Sequence, residues 1–158
     1  MRQKNWSHHS DSRSTESQLQ TIERKHMQFL EGYDEHATFE QLQKADWQRE
    51  LSSHQSFVEG YWVKFLVRNE LDSSTIGLFH NLNFEKKIFV NNSHGVKEYP
   101  YWNYRKDHYF SENHLGSHYR LVLPQQEVTT VYDFFRSKPF NRYYSAKNGL
   151  DRLKLGYW

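Results

Sequence analysis

The densest group of potential ligand-binding side chains lies in residues 99–110, where six aromatic rings occur within twelve positions. Sugars present C–H faces that pack on flat rings, while their hydroxyl groups bond to polar side chains. Three of these rings are the candidate platform: Trp102, Tyr104 and Tyr109. The candidate hydrogen-bonding side chains beside them are Asn103, Arg105 and Asp107. The segment is therefore the candidate ligand-binding site.

Two other interpretations of the same segment remain open. The rings would serve packing alone if they anchored a long loop to the body of the domain. Rings interleaved with Arg105 and Lys106 are also typical of surfaces that grip single-stranded nucleic acid. The charge balance argues against a nucleic-acid partner, because 21 Lys and Arg stand against 19 Asp and Glu without a strongly basic stripe.

The sequence shows no motif for catalysis or for a metal. It has no cysteine, which excludes disulfides, thiolate catalysis and cysteine-type zinc sites. Three histidines have spacings that fit no compact metal motif: His108, His114 and His118. We predict a non-catalytic protein without cofactor or metal.

A weak glycan hydrolase is the catalytic alternative. Such an enzyme needs two carboxylates that face each other across a cleft. The spacing singles out no pair among the carboxylates that the sequence offers for this role: Glu98, Asp107, Glu112 and Asp133.

The elements that must position these side chains are poor in aliphatic residues. Hydrophobic residues make up 36% of the chain, and Phe, Tyr and Trp alone make up 17%, whereas soluble domains average roughly 45–50% apolar. A chain of 158 residues is long enough for a core, so we expect a core built largely from rings. No apolar run approaches the roughly 18 residues needed to cross a bilayer, and no secretory signal follows the basic N-terminus.

The N-terminal segment differs in composition from the remainder. Residues 1–21 contain only three apolar side chains, Met1, Trp6 and Leu19. Burial cannot offset the ordering entropy of such a segment. The sequence therefore predicts a disordered polar tail over residues 1–21 and a folded domain over residues 22–158.

One short helix is predicted near the N-terminal side. Thr38 and Gln41 have the spacing of a capping box, in which each side chain satisfies a backbone N–H of the first helical turn. Phe39, Leu42 and Ala45 then fall on one face. This pattern predicts a helix over residues 39–46.

Elsewhere the apolar residues recur with a period of two, which indicates strands. In the strand predicted at 61–68, one face carries Tyr61, Val63, Phe65 and Val67, and Trp62 on the other face is expected to pack against a helix or to line a groove. Further strands are predicted at 26–30, 75–82, 86–90, 96–101, 119–123 and 128–136, with weaker candidates at 141–146 and 153–157. A turn at residues 91–95 would join two of them into a hairpin. About eight short strands with one helix indicate an all-β, jelly-roll-like sandwich.

Three segments together resemble one protein family. They are GYWVKFLVRN at residues 60–69, FEKKIFVNNSHG at 84–95 and PQQEVTTVYDFFRS at 124–137. In order and spacing they are similar to the type 2 extracellular domain of bacterial seven-transmembrane receptors with diverse intracellular signalling modules (7TMR-DISM). Asp133 departs from the family pattern, in which this strand position is usually apolar.

The resemblance implies a jelly-roll-like sensor domain that binds a carbohydrate or similar small ligand in the periplasm or at the cell surface. In a full-length parent, its partners would be a seven-helix membrane segment and an intracellular output module. The chain contains neither a signal sequence nor those helices, so we expect a fragment, an excised domain or a truncated relative. A rival hypothesis is a module that binds a protein partner through the same aromatic segment, because Tyr and Trp also dominate protein interfaces.

Overall fold

The computed structural model describes residues 4–6, 20–51, 60–81, 85–103, 114–115, 118–136 and 153–157. Within these ranges it contains one α-helix, α1 (Phe39–Lys44), and a single 3-10 turn at Arg24–His26. The strands are β1 (Lys4–Trp6), β2 (Gln20–Thr21), β3 (Met27–Leu30), β4 (Tyr61–Asn69), β5 (Thr75–Asn81), β6 (Glu85–Asn92), β7 (Gly95–Asn103), β8 (His114–Leu115), β9 (His118–Leu123), β10 (Val128–Arg136) and β11 (Leu153–Tyr157). The predicted all-β class with one short helix is confirmed.

The strands form two sheets. The first has the order β1-β4-β10-β6-β7, with β3 also paired to β4, and the second has the order β2-β11-β5-β9-β8. The strand pairs are antiparallel except for β1 and β4, which run parallel. One apolar cluster draws on both sheets, so the molecule is a β-sandwich.

The N-terminal segment contains two short strands within its described residues. β1 and β2 fall within residues 1–21, for which the composition predicts a disordered tail. β1 pairs with β4 and β2 pairs with β11. Strand pairing uses backbone N–H and C=O groups, so a polar sequence can still add to a sheet. The other residues of this segment lie outside the described ranges, as does the weaker strand candidate at 141–146.

The core between the sheets follows the predicted alternation of β4. Its inward face is buried there: Tyr61, Val63, Phe65 and Val67. The second sheet contributes rings and aliphatic side chains from β5 and β9: Phe79, Tyr119, Leu121 and Leu123. The rings of Phe65 and Phe79 meet across the two sheets with centroids 5.3 Å apart. This core therefore contains the rings that the composition led us to expect.

The outer face of the first sheet is covered by the chain between β3 and β4. Trp62 is fully buried there, and its Nε1 donates a hydrogen bond to the carbonyl oxygen of Asp34 at 2.9 Å. The other members of this cluster are Leu30, Ala37, Leu42, Phe89, Tyr132 and Phe134, with Phe39, Ala45 and Trp47 packed against them. Of the two positions expected for Trp62, packing beneath the helical segment is confirmed.

The helix begins as predicted and ends two residues earlier. Thr38 Oγ1 accepts from the backbone N–H of Gln41 at 3.2 Å, and Gln41 Oε1 accepts from the N–H of Thr38 at 2.9 Å. At the other end, Ala45 has extended backbone angles. Trp47 Nε1 donates to the carbonyl oxygen of Leu42 at 2.8 Å, which satisfies one of the acceptors left open at a helix end.

Asn69 holds the corner at the end of β4. Its amide nitrogen lies 3.0 Å from the carbonyl oxygens of Ser73 and Leu123 and 3.1 Å from that of Pro124. Its Oδ1 accepts from the N–H of Leu71 at 3.0 Å. The asparagine that closes the first resemblance segment thus ties two turns together, which is a structural role.

Candidate functional site

The structure describes part of the predicted aromatic site. Trp102 and Asn103 are the last residues of β7, opposite Lys86 and Glu85 of β6. The register shifts between Lys86 and Ile88, because β7 has one more residue than β6 in this interval, as in a β-bulge. Four predicted site residues lie outside the described ranges: Tyr104, Arg105, Asp107 and Tyr109. The aromatic site therefore stays a prediction.

The first ring of that segment, Tyr99, anchors β7 to the second sheet. Its hydroxyl donates to the carbonyl oxygen of Arg120 in β9, and its ring meets that of Tyr119 edge-on with centroids 5.1 Å apart. Burial raises the pKa of Tyr99 to about 12. Tyr99 therefore anchors its strand to the second sheet, in agreement with the interpretation that the rings of this segment serve packing.

A groove of about 520 Å³ lies beside β7, where the cover of the first sheet stops. One wall comes from the residues that lead into α1 and from its first turn: His36, Ala37, Thr38, Phe39 and Glu40. The other wall and the floor come from the β6–β7 hairpin: Lys87, Phe89, Val96 and Glu98. We take this groove as the candidate site, because small-molecule sites typically measure about 300–1,000 Å³.

Apolar side chains shape one side of the groove. The ring of Phe39 contacts that of Phe89 with centroids 5.9 Å apart and that of Tyr132 edge-on at 5.6 Å. These contacts hold Phe39 in place at the rim. Val96, about half exposed, faces the groove from β7. A ligand would find apolar contact area already in position.

A chain of polar contacts runs from the other side of the groove to the end of β10. Lys87 Nζ lies 3.2 Å from Glu98 Oε1 and 2.9 Å from the carbonyl oxygen of Glu35. The carboxylate of Glu35 in turn accepts from Arg136 Nη2 at 2.9 Å. Arg136 is the last residue of β10, so the groove wall is connected to the point where the chain leaves the first sheet.

Sequence patterns do not predict this groove. Of its lining residues, they single out Thr38 as a helix cap, Phe39 as part of the helix face and Glu98 as a possible catalytic carboxylate. The β6–β7 hairpin is the part of the groove that the sequence could have predicted. Once the turn at residues 91–95 is accepted, Glu98 pairs with Phe89, and directly opposed residues share a face of the sheet. No local pattern in the sequence predicts that residues 36–40 form the opposite wall of the groove.

A second, smaller pocket of about 180 Å³ lies at the tip of the same hairpin. Asn92 closes it, since its amide nitrogen donates to the carbonyl oxygen of Val122 at 3.0 Å and to Thr129 Oγ1 at 3.2 Å. Its volume is below the range usual for small-molecule sites, and we do not assign it a ligand.

Lys86 and Asp133 form a buried polar cluster between the sheets, with exposures of 1% and 0%. Burial lowers the pKa of Lys86 to about 8, and the Asp133 carboxylate partly opposes that shift. Burial, followed by the Asp133 charge, raises the pKa values of Tyr61 and Tyr119. Perturbed groups are candidates for chemistry, but these side chains are enclosed and offer no surface to a ligand.

Other classes of site have little support in the described part of the chain. There, no group of three or more His, Asp or Glu side chains is placed to hold a metal ion. His114 and His118 lie on the neighbouring strands β8 and β9, and His108 is outside the described ranges. No helix in those ranges has the length and hydropathy needed to span a bilayer. No protein-family model matches the chain, and neither does any curated protein.

Proposed function

We propose that the chain is a non-catalytic sensor domain that binds a carbohydrate or similar small ligand in the groove beside β7. The groove itself carries the proposal, since it combines an apolar rim with a polar wall in a volume of about 520 Å³. A sugar needs both kinds of contact, because its C–H faces pack on apolar groups while its hydroxyls exchange hydrogen bonds.

The predicted aromatic segment is a separate part of the proposal. β7 runs from Val96 and Glu98, which line the groove, to Trp102 and Asn103 at its end. In the register with β6, Glu98 is opposite Phe89 of the groove, whereas Trp102 is opposite the buried Lys86. The groove therefore carries the proposal alone, and the aromatic segment stays a prediction from the sequence.

The polar contacts of Lys87 supply a route from ligand to signal. A ligand that bonds to Lys87 or Glu98 changes the contacts that hold Glu35, and Glu35 in turn holds Arg136. In the 7TMR-DISM architecture, the sensor domain is followed by a seven-helix segment and an output module. By that resemblance we place the protein in the periplasm or at the cell surface, with the C-terminal end of the domain as the connection to the membrane.

A glycan array with the folded domain tests the proposal. We expect binding of a defined set of glycans and at least a roughly tenfold loss of affinity in Val96→Arg, because the larger cationic side chain fills the groove. Ile76→Arg is the matched control, since Ile76 is a similarly exposed apolar residue on β5 of the second sheet and should leave binding unchanged. Trp102→Ala tests the predicted aromatic platform separately from the groove, and unchanged glycan affinity in this variant would remove that platform.

Four results would contradict this proposal. Failure of every glycan to bind would remove the carbohydrate ligand, and equal binding by the wild type and Val96→Arg would remove the groove. Release of reducing ends from a polysaccharide would show catalysis and favour the glycan hydrolase alternative. Binding of a protein partner that depends on Trp102, without any glycan binding, would favour the interaction module.

A further inference from the structure

The charged side chains that line the groove are not balanced. Two carboxylates, Glu40 and Glu98, stand against one ammonium group, that of Lys87. His36 is the remaining ionisable side chain among the lining residues, and it counts as neutral in the formal charge at pH 7. The groove walls therefore carry a formal excess of one negative charge.

The ammonium group of Lys87 already interacts with other groups of the protein. Lys87 Nζ contacts Glu98 Oε1 and the carbonyl oxygen of Glu35, and its side chain is only 12% exposed. Its Nζ also lies 5.1 Å from the centroid of the Phe89 ring. Two of the three ammonium protons can be used by these acceptors. Lys87 is thus built into the wall and leaves little capacity to receive an anionic ligand.

The two carboxylates keep capacity for a cationic ligand. The side chain of Glu98 is 51% exposed, and a carboxylate has about four acceptor positions, of which Lys87 takes one. Glu40 is exposed in the first turn of α1 and has no ion pair within the described residues. A cationic group in the groove would interact favourably with both carboxylates, which an uncharged group cannot do.

We propose that the groove prefers a sugar that carries a protonated amine, that is, an amino sugar with a free amino group. This inference rests on the proposed carbohydrate-binding function. The amine bonds to Glu98 and lies within the field of Glu40, while the C–H face of the sugar ring packs on Phe39 and Val96. Hydrogen bonds that involve a charged partner are stronger than those between neutral groups.

Two oligosaccharides with the same sugar rings test the preference, one with free amino groups and one with N-acetyl groups. Calorimetry of the folded domain with glucosamine tetrasaccharide and with its fully N-acetylated counterpart at pH 7 compares the same ring with and without the cation. We expect the free amine to bind roughly tenfold more tightly, the scale of one added charge-assisted hydrogen bond. The ratio should fall as salt is raised, because screening weakens exposed charges.

Charge-neutral variants assign the preference to the groove. In Glu98→Gln the ratio between the two sugars should approach one, and in Glu40→Gln it should fall to an intermediate value. Glu50→Gln is the control, because Glu50 is exposed and is not among the groove residues. It should keep the wild-type ratio.

The outcomes separate this inference from the proposed function. Equal affinity for the two sugars, or an unchanged ratio in Glu98→Gln, overturns the amine preference and leaves carbohydrate binding intact. Absence of binding by both sugars and by every glycan on the array overturns the proposed function and this inference together. A lysine-containing peptide that competes with the amino sugar at equal affinity overturns the assignment to a sugar.

Discussion

The molecule buries apolar side chains in two regions that differ in composition. The core between the sheets encloses Lys86 and Asp133 among its rings and aliphatic residues. The cluster on the outer face of the first sheet is built from apolar side chains, and its two indole N–H groups, from Trp47 and Trp62, each have a backbone acceptor. Both indole N–H groups of the outer cluster therefore have a hydrogen-bond acceptor, whereas the inner core contains two buried ionisable side chains, Lys86 and Asp133.

The two regions contribute differently to the groove. The outer cluster ends at Phe39 and Phe89, and these residues form the apolar side of the groove. The inner core joins the strands that carry the remaining wall, since Tyr99 ties β7 to β9. We infer that the outer cluster sets the shape of the groove. The inner core, in contrast, makes stability depend on pH.

The largest effect is expected in the inner core. Lys86→Met should lower the free energy of unfolding by about 3–5 kcal/mol, because it leaves the Asp133 charge buried without its cationic neighbour. The double variant Lys86→Met/Asp133→Leu should recover most of this loss, since replacing both charges by apolar groups is often neutral or stabilising. Urea denaturation at pH 7 measures both. A double variant as unstable as the single one would contradict the coupling.

Gly60 tests the outer cluster. A Cβ at this position would lie 2.6 Å from Phe134 Cζ, and its φ of +91° is unfavourable for other residues. Gly60→Ala should therefore cost about 2–4 kcal/mol, the sum of backbone strain and overpacking. Gly32→Ala is the matched control, because Gly32 has φ +82° but no atom within 4 Å of the added Cβ. Thermal unfolding should show a clearly smaller loss in Gly32→Ala, and equal losses would rule out the clash.

The pH dependence of stability comes from the inner core. Folding lowers the pKa of Lys86 from 10.5 to about 8, so the unfolded chain binds more protons between these values. Stability should then rise with pH above 8, by at most about 1.4 kcal/mol per unit, and Lys64 adds in the same direction. Above about pH 10 it should fall, because burial raises the pKa values of Tyr61, Tyr99 and Tyr119 above 10.0.

Denaturation curves between pH 7 and 11 measure this profile. The double variant Lys86→Met/Asp133→Leu is the comparison, since it lacks the lysine and should show a much weaker rise between pH 8 and 10. A wild-type protein whose stability does not change in that window would show that Lys86 keeps an ordinary pKa in the folded state.

The smallest effect concerns the segment that covers the outer cluster. Thr38→Ala removes one half of the capping box at the start of α1, and such losses typically cost about 1 kcal/mol. Thr38→Ser keeps the hydroxyl and should recover most of the stability. Because Thr38 also lines the groove, Thr38→Ala should weaken ligand binding as well. Chemical denaturation and calorimetry on the same samples would show both changes, and an equal loss in Thr38→Ser would exclude the cap.

Local patterns explain which predictions succeeded. The face of β4 that carries Tyr61, Val63 and Phe65 follows from a period of two, and the start of α1 follows from Thr38 and Gln41, which are three positions apart. The end of α1 was predicted two residues too late. Its helical pattern continues to Ala45, but the contact from Trp47 to Leu42 closes the helix earlier.

Two neighbouring lysines, Lys86 and Lys87, show what local patterns in the sequence could not predict. Lys86 is buried between the sheets, and Lys87 lies on the groove wall. Alternation along β6 requires that the two face opposite sides of the sheet. Which of them points inward depends on how the sheets pack, and no local pattern in the sequence predicted it.

The sequence by itself determined the all-β class, most strand positions and the cap of the single helix, because these features depend on residues a few positions apart. Only the tertiary structure decided where the groove lies. Lys87 and Glu35 are 52 positions apart, and Arg136 and Glu35 are 101 apart. Their contacts arise from the packing of a loop against two strands of the first sheet. Such contacts depend on the relative placement of whole elements, and no periodicity or local spacing records them.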